Sequence, residues 1–363
     1  MFQWNLRTVL TLILLTAAPT VNAQTPDGLA MESSSGYQLG KGFDLPLFGL
    51  RGGGYVNIAF TDLKNHDWRI GPHDLSLFLY RDFATRWHFF SELELGEPFS
   101  LSSSGISTSN ADFDIERIYV DYRLASRASL RFGKFLTPIG RWNLIHADPL
   151  IWTVSRPLTT AVPFSRHAAG LMLHGTWPLG KTDLDYSVFA DDSELLDPSQ
   201  RDELAYPDIE HDSNEQNVFD HALGFRVLYR SFNERLQIGV SAARLQLMGI
   251  EHTKNLLGSD LYWSVGRMEV SGEAVYRANS GESNADEWGA FLQLVVPLSQ
   301  RVYAVGYHER FKPDIVSATA TVDSLGIAFV PSPPVKIKLE HRDGRHNQSV
   351  APDGWFASFS FLL

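Results

Sequence analysis

The sequence has no cysteine among its 363 residues. That absence removes disulfide scaffolds, thiolate metal sites, iron–sulfur clusters and cysteine nucleophiles together. A basic excess is missing too. Lys and Arg number 31 against 42 Asp and Glu, a formal net charge of −11. A nucleic-acid surface needs a basic face for phosphate, so no nucleic-acid partner is expected. Beyond the first 23 residues, no apolar run approaches the roughly 18 to 20 residues of a spanning helix. Helical periodicity is nearly absent from the rest of the chain. Charged residues make up 20% and aromatics 12%, so the chain is neither disordered nor collagen-like.

The N-terminus reads as a targeting segment. Arg7 supplies a positive start, Val9 to Val21 is apolar with small polar interruptions, and Val21-Asn22-Ala23 is a small-residue cleavage signal. This predicts a secretory signal peptide over residues 1–23, exported by the Sec route and removed after Ala23. Residues 24–45 are expected as an N-terminal periplasmic segment, and residues 46–363 as one domain. An exported chain without cysteine suits the bacterial envelope.

What the remainder does have is period-2 alternation. Val56, Ile58 and Phe60 alternate with Tyr55, Asn57 and Ala59, and Leu75, Leu77 and Leu79 with Ser76, Phe78 and Tyr80. Ile118, Val120 and Tyr122 oppose Arg117, Tyr119 and Asp121; Val335, Ile337 and Leu339 oppose Lys336, Lys338 and Glu340. Sixteen such segments centre near residues 55, 77, 90, 118, 131, 172, 187, 225, 240, 261, 272, 292, 305, 325, 338 and 359. Seven short connectors, such as Ala125–Arg127 and Gly266–Arg267, alternate strictly with eight long ones, such as Thr61–Gly71, Thr137–His167 and Met248–Leu257. This is the pattern of an all-β transmembrane antiparallel barrel of about 16 strands, with short periplasmic turns and long extracellular loops. A soluble sandwich is the competing reading, but its loops need not alternate in length. In a lipid-embedded barrel every backbone polar group pairs within the closed sheet, so an apolar outer face needs no protein cover. Val120, Leu130, Leu173, Phe225, Val240 and Leu339 are expected on that face. Gly224 and Ser241 are expected on the other, where arginine should be tolerated.

The chain ends Trp355-Phe356-Ala357-Ser358-Phe359-Ser360-Phe361-Leu362-Leu363. This resembles the terminal strand of outer-membrane proteins read by the barrel-assembly machinery, which prefers a final Phe where Leu363 stands. A more specific stretch runs Leu130-Arg131-Phe132-Gly133-Lys134-Phe135-Leu136-Thr137-Pro138-Ile139-Gly140, then Arg141-Trp142-Asn143 and His146. With Ile118–Tyr122 before it, and Ser324–Phe329 and Lys338–His341 later, it resembles the phosphate-selective (O/P-type) group of Gram-negative outer-membrane porins. The resemblance implies a porin in the cell outer membrane. It does not carry phosphate over, because that specificity depends on many basic residues stacked along the pore and this chain is acidic. The N-terminal coiled coil of some members is not seen.

Sixteen strands leave a water-filled interior. The alternation predicts Arg117, Arg131, Arg226, Arg230, Arg277, Arg310, Lys336, Lys338 and Arg342 on the inner wall. With them stand Glu92, Glu94, Asp121, Asp185, Glu269, Glu273 and Glu340, and His88, His174 and His308. Strict alternation from Arg131 turns Lys134 outward unless the strand has already ended. The 31-residue connector Thr137–His167 carries Arg141, Trp142, Asn143 and His146 with four prolines. Loops of this length are usually functional. As the third long loop of a porin it is expected to fold into the lumen as a constriction. A loop lying over the mouth is the alternative. The fourth long connector holds eleven acids from Asp191 to Asp220 against one base, Arg201. It is expected as a solvated loop, or one sharing divalent cations with lipopolysaccharide.

No catalytic, cofactor or metal motif is present, so an enzyme is not expected. The expected function is passive diffusion of small hydrophilic or ionic solutes with a mild anion preference. A loop-displaying adhesin or scaffold is the alternative. Outer-membrane lipid, lipopolysaccharide and the assembly machinery are the expected partners, with a homotrimer by analogy.

Overall fold

The computed structural model describes residues 37–38, 42–46, 48–145, 147–197, 218–279, 286–313, 318–346 and 351–363. The expected signal peptide 1–23, His146 and residues 198–217 of the acidic loop lie outside them. Sixteen barrel strands follow in chain order: β1 Leu50–Leu63, β2 Arg69–Phe83, β3 Trp87–Gly96, β4 Asp112–Ala125, β5 Ala128–Leu136, β6 His167–Leu179, β7 Thr182–Asp191 and β8 Phe219–Arg230. Then come β9 Leu236–Leu247, β10 Lys254–Val265, β11 Met268–Asn279, β12 Glu287–Pro297, β13 Val302–Lys312, β14 Ala320–Ser332, β15 Val335–Arg345 and β16 Gly354–Leu362. Each pairs antiparallel with the next. β16 pairs with β1 from Gly354↔Leu63 to Leu362↔Tyr55, which closes the sheet. All sixteen expected centres fall inside these strands.

Closure is what the alternation requires. Asn57 and Ser76 point inward and are buried, while Ile58 and Leu77 between their neighbours are exposed on the outside. Leu130, Leu173, Phe225, Val240 and Leu339 are likewise exposed, and Val120 is half-exposed. The connectors alternate as expected, but β1, β2 and β10 run further than the hydrophobic pattern marked. The first long loop thereby shrinks to residues 64–68 and the fifth to 248–253. Backbone pairing continues past the apolar band because the strand ends are already side by side. The second long loop carries a small hairpin of its own, Ser100–Ser102 with Gly105–Ser107. Ahead of β1, Gly42–Leu45 pairs with Leu50–Gly52, in line with the end of β16, where the Leu363 N–H donates to the Gly54 carbonyl at 2.7 Å.

Three expectations need correction. Arg310 and His308 were assigned to the lumen, but both are exposed on the outer face, and their neighbours Tyr307 and Glu309 are buried inside. The period was right and the phase wrong. The outward set of β13 runs Val302, Ala304 and Gly306, and the last two are too small to mark a lipid face. The lumen is also far from simply water-filled. Phe135, Ile139 and Phe164 pack with inward Met172, Phe189, Leu245, Leu256 and Val275. Trp142, Ile151 and Leu158 pack with Phe291, Tyr307 and Phe311. Gly224 and Ser241 are therefore not roomy sites. A Cβ on Gly224 would stand 2.5 Å from the Phe189 ring, and Ser241 is fully buried.

One irregularity places charge. β3 and β4 shift register between Glu92↔Arg117 and Leu93↔Ile115, so Glu116 is a bulge. Glu116 and Arg117 thus both turn inward, whereas a regular strand would have sent one of them into lipid.

The faces of β6 supply a test. Leu173 faces lipid, whereas Thr176 faces inward and donates to Asp185 Oδ1 at 2.7 Å. Leu173→Lys should cost about 2 to 4 kcal/mol in unfolding from liposomes, and Thr176→Lys, beside Asp185, less than about 1 kcal/mol. Equal costs would refute this assignment of faces.

Candidate functional site

The third long loop, residues 137–166, lies inside the barrel. Its two ends are tied at the neck. The Thr137 N–H donates to the Arg166 carbonyl at 2.9 Å, and Asn143 Nδ2 donates to the Thr137 and Arg166 carbonyls at 2.9 and 3.0 Å. Four prolines keep it from forming long regular elements. Its only helical pieces among the described residues are the turns Trp142–Ile145 and Leu158–Ala161. Most of its backbone N–H groups therefore need acceptors from elsewhere.

Inward carboxylates supply them. Glu273 Oε1 accepts the Arg141 and Trp142 N–H groups at 2.8 and 2.5 Å. This explains the Pro-x-Gly motif. Gly140 has φ +66°, and a Cβ there would stand 2.1 Å from Glu273 Oε2. Glu269 accepts Trp152 Nε1 at 2.8 Å. Glu340 accepts the Val154 and Ser155 N–H groups at 2.6 and 3.2 Å and Ser155 Oγ at 2.5 Å. Glu309 accepts the Leu158 and Thr159 N–H groups and Thr159 Oγ1, at 3.1, 2.7 and 2.6 Å. Cations hold the loop's carbonyls: Lys336 that of Ile151, Lys338 that of Thr153 together with the Asp148 carboxylate, and Arg277 that of Pro163. These seats lie on β11, β13 and β15, one part of the wall.

The wall from β3 to β8 carries charge in pairs. Arg117 meets fully buried Glu92 at 2.5 Å and lies 4.7 Å over the Phe90 ring. Arg131 makes two bonds to Asp121, at 2.8 and 2.9 Å, and lies 3.6 Å over Tyr119. His174 Nε2 stands 3.5 Å from Asp121. Arg226 pairs with Asp260 at 2.6 Å, and Arg230 with Asp185 at 2.6 Å and Glu234 at 2.5 Å. A recess of about 370 Å³ opens among His174, Thr176, Asp185, Ser187, Arg226 and Arg230, and the loop reaches it through Leu144. A second hollow of about 310 Å³, toward the short turns, is lined by Asp82, His88, Asp121, Arg123 and Ser129. The Asp121–His174 contact joins the two.

Of the residues picked from sequence, Glu92, Arg117, Asp121, Arg131, Arg226 and Arg230 thus share one wall. Arg141 lies in the lumen, 4.2 Å over the Tyr262 ring, and burial pushes its guanidinium below the ordinary value. Trp142 is buried in the apolar packing, with Arg156 5.3 Å over its ring. Asn143 is the neck tie, and His146 lies outside the described residues. Lys134 does not join the row. It stands opposite Ile118 on the outward phase, and its buried ammonium pairs with Asp114 and Asp197, each at 3.2 Å. Asp197 belongs to the acidic loop, so that loop is tethered at this corner. Glu309 was missed because β13 was read in the wrong phase, and Asp260 because it sits among small residues.

No family model matches the sequence. A curated "uncharacterized protein" of Aquifex aeolicus (strain VF5) is 26% identical over 152 residues, 41% of this chain; the match spans only 32% of that protein's length. Solved structures agree over most of the barrel. The anion-selective porin from Comamonas acidovorans superposes with a TM-score of 0.57 at 13% identity, over 86% of this chain and 99% of that one. The outer-membrane channel DcaP of Acinetobacter baumannii gives 0.56 at 12%, over 89% and 100%. The trimer form of OmpT, an outer-membrane protein of Vibrio cholerae, gives 0.57 at 11%, over 86% and 99%. The chain has the fold of the outer-membrane porins.

The loop's seating can be probed at Glu340. Glu340→Ala strips the acceptor from two buried N–H groups and the Ser155 hydroxyl, which should cost about 1 to 3 kcal/mol for each group left unpaired. Amide exchange at Val154 and Ser155 should speed up while the strands keep their protection. Unchanged exchange there would show that Glu340 does not hold the loop.

Proposed function

We propose that the chain is a passive channel of the Gram-negative outer membrane for small hydrophilic or ionic solutes, with a mild anion preference. The observation that carries this reading is the recess between β6–β8 and the inserted loop, lined by Arg226 and Arg230 and joined through His174 to Asp121 and its partner Arg131. A transverse arrangement of both signs of charge favours hydrated solutes over apolar ones. Glu92, Arg117, Asp121, Arg131, Arg226 and Arg230 are the proposed lining, and the third loop with Arg141, Trp142, Asn143 and His146 the proposed constriction. Each wall arginine already faces a carboxylate, so the preference is mild. The name of the anion-selective relative points the same way. The acidic loop bears little on the lumen, because salt screens exposed charge beyond about 8 Å. The long loops face outward from the cell, and lipid covers the apolar band. A homotrimer is proposed from the trimeric porin-fold neighbour.

The apolar packing of the lumen favours one competing reading, a closed barrel that displays its loops as an adhesin or scaffold. Planar-bilayer recording separates the two: steady conductance steps support the channel, and folded protein without conductance supports the scaffold. Under a salt gradient, Arg131→Ala and Arg141→Ala should each shift the reversal potential toward cations, and deleting residues 198–212 should barely move it. Strong cation selectivity that vanishes with the deletion would overturn the proposed selectivity. On unboiled gels a heat-labile trimer band is expected; a monomer alone in native extracts would refute the trimer.

A further inference from the structure

Strand β13 carries, on its outer face, Val302, Ala304 and Gly306, then His308, Arg310 and Lys312. The step from apolar to charged falls at His308. The neighbouring strands change at the same level, since His308 stands opposite Asp323 and Asp323 opposite Asp343. Below that row the outward side chains are mostly apolar, with exposed Leu325 and Ile327 on β14 and Leu339 on β15, and His341 set against the Trp355 ring. Above it come Arg310, Lys312 and Arg345. Trp288 of β12 stands opposite Lys312, and the Arg310 guanidinium lies 5.9 Å over its ring. The outer face also turns polar at the long-loop end of β9, where outward Arg244 and Gln246 stand beside Asn255 and His221, but among the described residues no second outward Lys or Arg accompanies Arg244 there. At Ile70 on β2 and at Phe113 and Ile115 on β4 the face stays apolar to the loop ends.

The charges of this patch are unequal in their commitments. Asp323 takes both His308, at 2.7 Å, and Arg345, which also stands 3.7 Å from Asp343. Asp286, near Lys312, accepts the Tyr276 hydroxyl and, at 3.2 Å, the Asn279 N–H. Among the described residues Arg310 and Lys312 make no ion pair. They lie two residues apart on one strand, roughly 7 Å, so their long side chains can converge on one group. Such cations are costly in hydrocarbon and cheap at its edge. At that edge stand lipid phosphates, which guanidinium and ammonium groups bind through charge-assisted hydrogen bonds.

We propose that the outer face of β12–β15, at its long-loop end, docks the phosphorylated headgroup of an outer-leaflet glycolipid. Arg310 and Lys312 are the phosphate ligands, Arg345 is a third cation held by Asp323 and Asp343, and Trp288 is the ring at headgroup depth. The proposal rests on reading the chain as an outer-membrane barrel and not on its conducting.

The full chain, folded in detergent, is titrated with bis-phosphorylated lipid A, and bound lipid is counted by native mass spectrometry. Arg310→Gln and Lys312→Gln should each weaken retention about fivefold, and the double variant more than tenfold. Arg244→Gln, an outward arginine on β9, should leave retention unchanged. Lipid A stripped of phosphate should bind at least tenfold more weakly, and millimolar inorganic phosphate should not displace the intact lipid. Heat-modifiable gel mobility and far-UV circular dichroism at the wild-type level show that the variants are folded. The proposal is overturned by undiminished retention in the double variant, by an equal loss with Arg244→Gln, or by indifference to the lipid's phosphates. Displacement by free phosphate would assign the patch to a soluble anion instead. None of these results touches the channel reading, which stands or falls on conductance alone.

Discussion

In hydrocarbon no water is present to satisfy a backbone N–H or carbonyl, and each one left unpaired costs several kcal/mol. A sheet meets that demand only by closing, and the pairing of β16 with β1 is the closure. The rest follows from it. Closure fixes an inside and an outside, period 2 sends alternate residues to each, and the antiparallel path puts short turns at one end and long loops at the other. The third loop is the exception that obeys the same rule. It brings irregular backbone into the lumen, where Glu273, Glu309 and Glu340 take up N–H groups that the loop does not pair within itself.

This explains which parts were legible in the sequence. Strand positions were readable because alternation is local: Leu339 needs only Lys338 and Glu340 beside it to declare its face. Phase was readable only where the outward residue is large. On β13, Gly306 and Ala304 are as compatible with inside as with outside, so Arg310 passed for a lumen residue and Glu309 was overlooked. The insertion of the third loop was expected by likeness to porins, but its seating was not, because the partners lie more than a hundred residues apart in sequence. Trp142 and Glu273 meet only after the barrel has closed. Nor does alternation say whether an inward side chain meets water or protein. Met172, Phe189 and Val275 were the available clue: three inward positions that are apolar imply something apolar to cover them.

The charge balance shows a similar separation of scales. The net −11 belongs mostly to one loop, of which residues 198–217 carry six of the eleven acids. Along the wall, charge is matched pair by pair: Arg131 with Asp121, Arg226 with Asp260, Arg230 with Asp185. Matched pairs make the inner surface polar without making it strongly positive or negative. They also stiffen it, because a guanidinium held by two bonds and laid on a ring, as Arg131 is on Tyr119, has few other positions to take.

The barrel is accordingly two-sided inside. Strands β11, β13 and β15 hold the loop through Glu269, Glu273, Glu309, Lys336, Lys338 and Glu340, whereas β6 to β8 border the recess, with Arg226 and Arg230 paired to Asp260 and Asp185. The two sides differ in kind. A carboxylate accepting loop N–H groups has no freedom to serve a passing solute, while Thr176, Ser187 and Arg230 border empty volume. Any solute path past Leu144 is bounded by one rigid wall and one tethered loop. Its width is therefore set less by the strand number than by how firmly Glu273, Glu309, Glu340 and the apolar packing fix the loop beside Arg226 and Arg230.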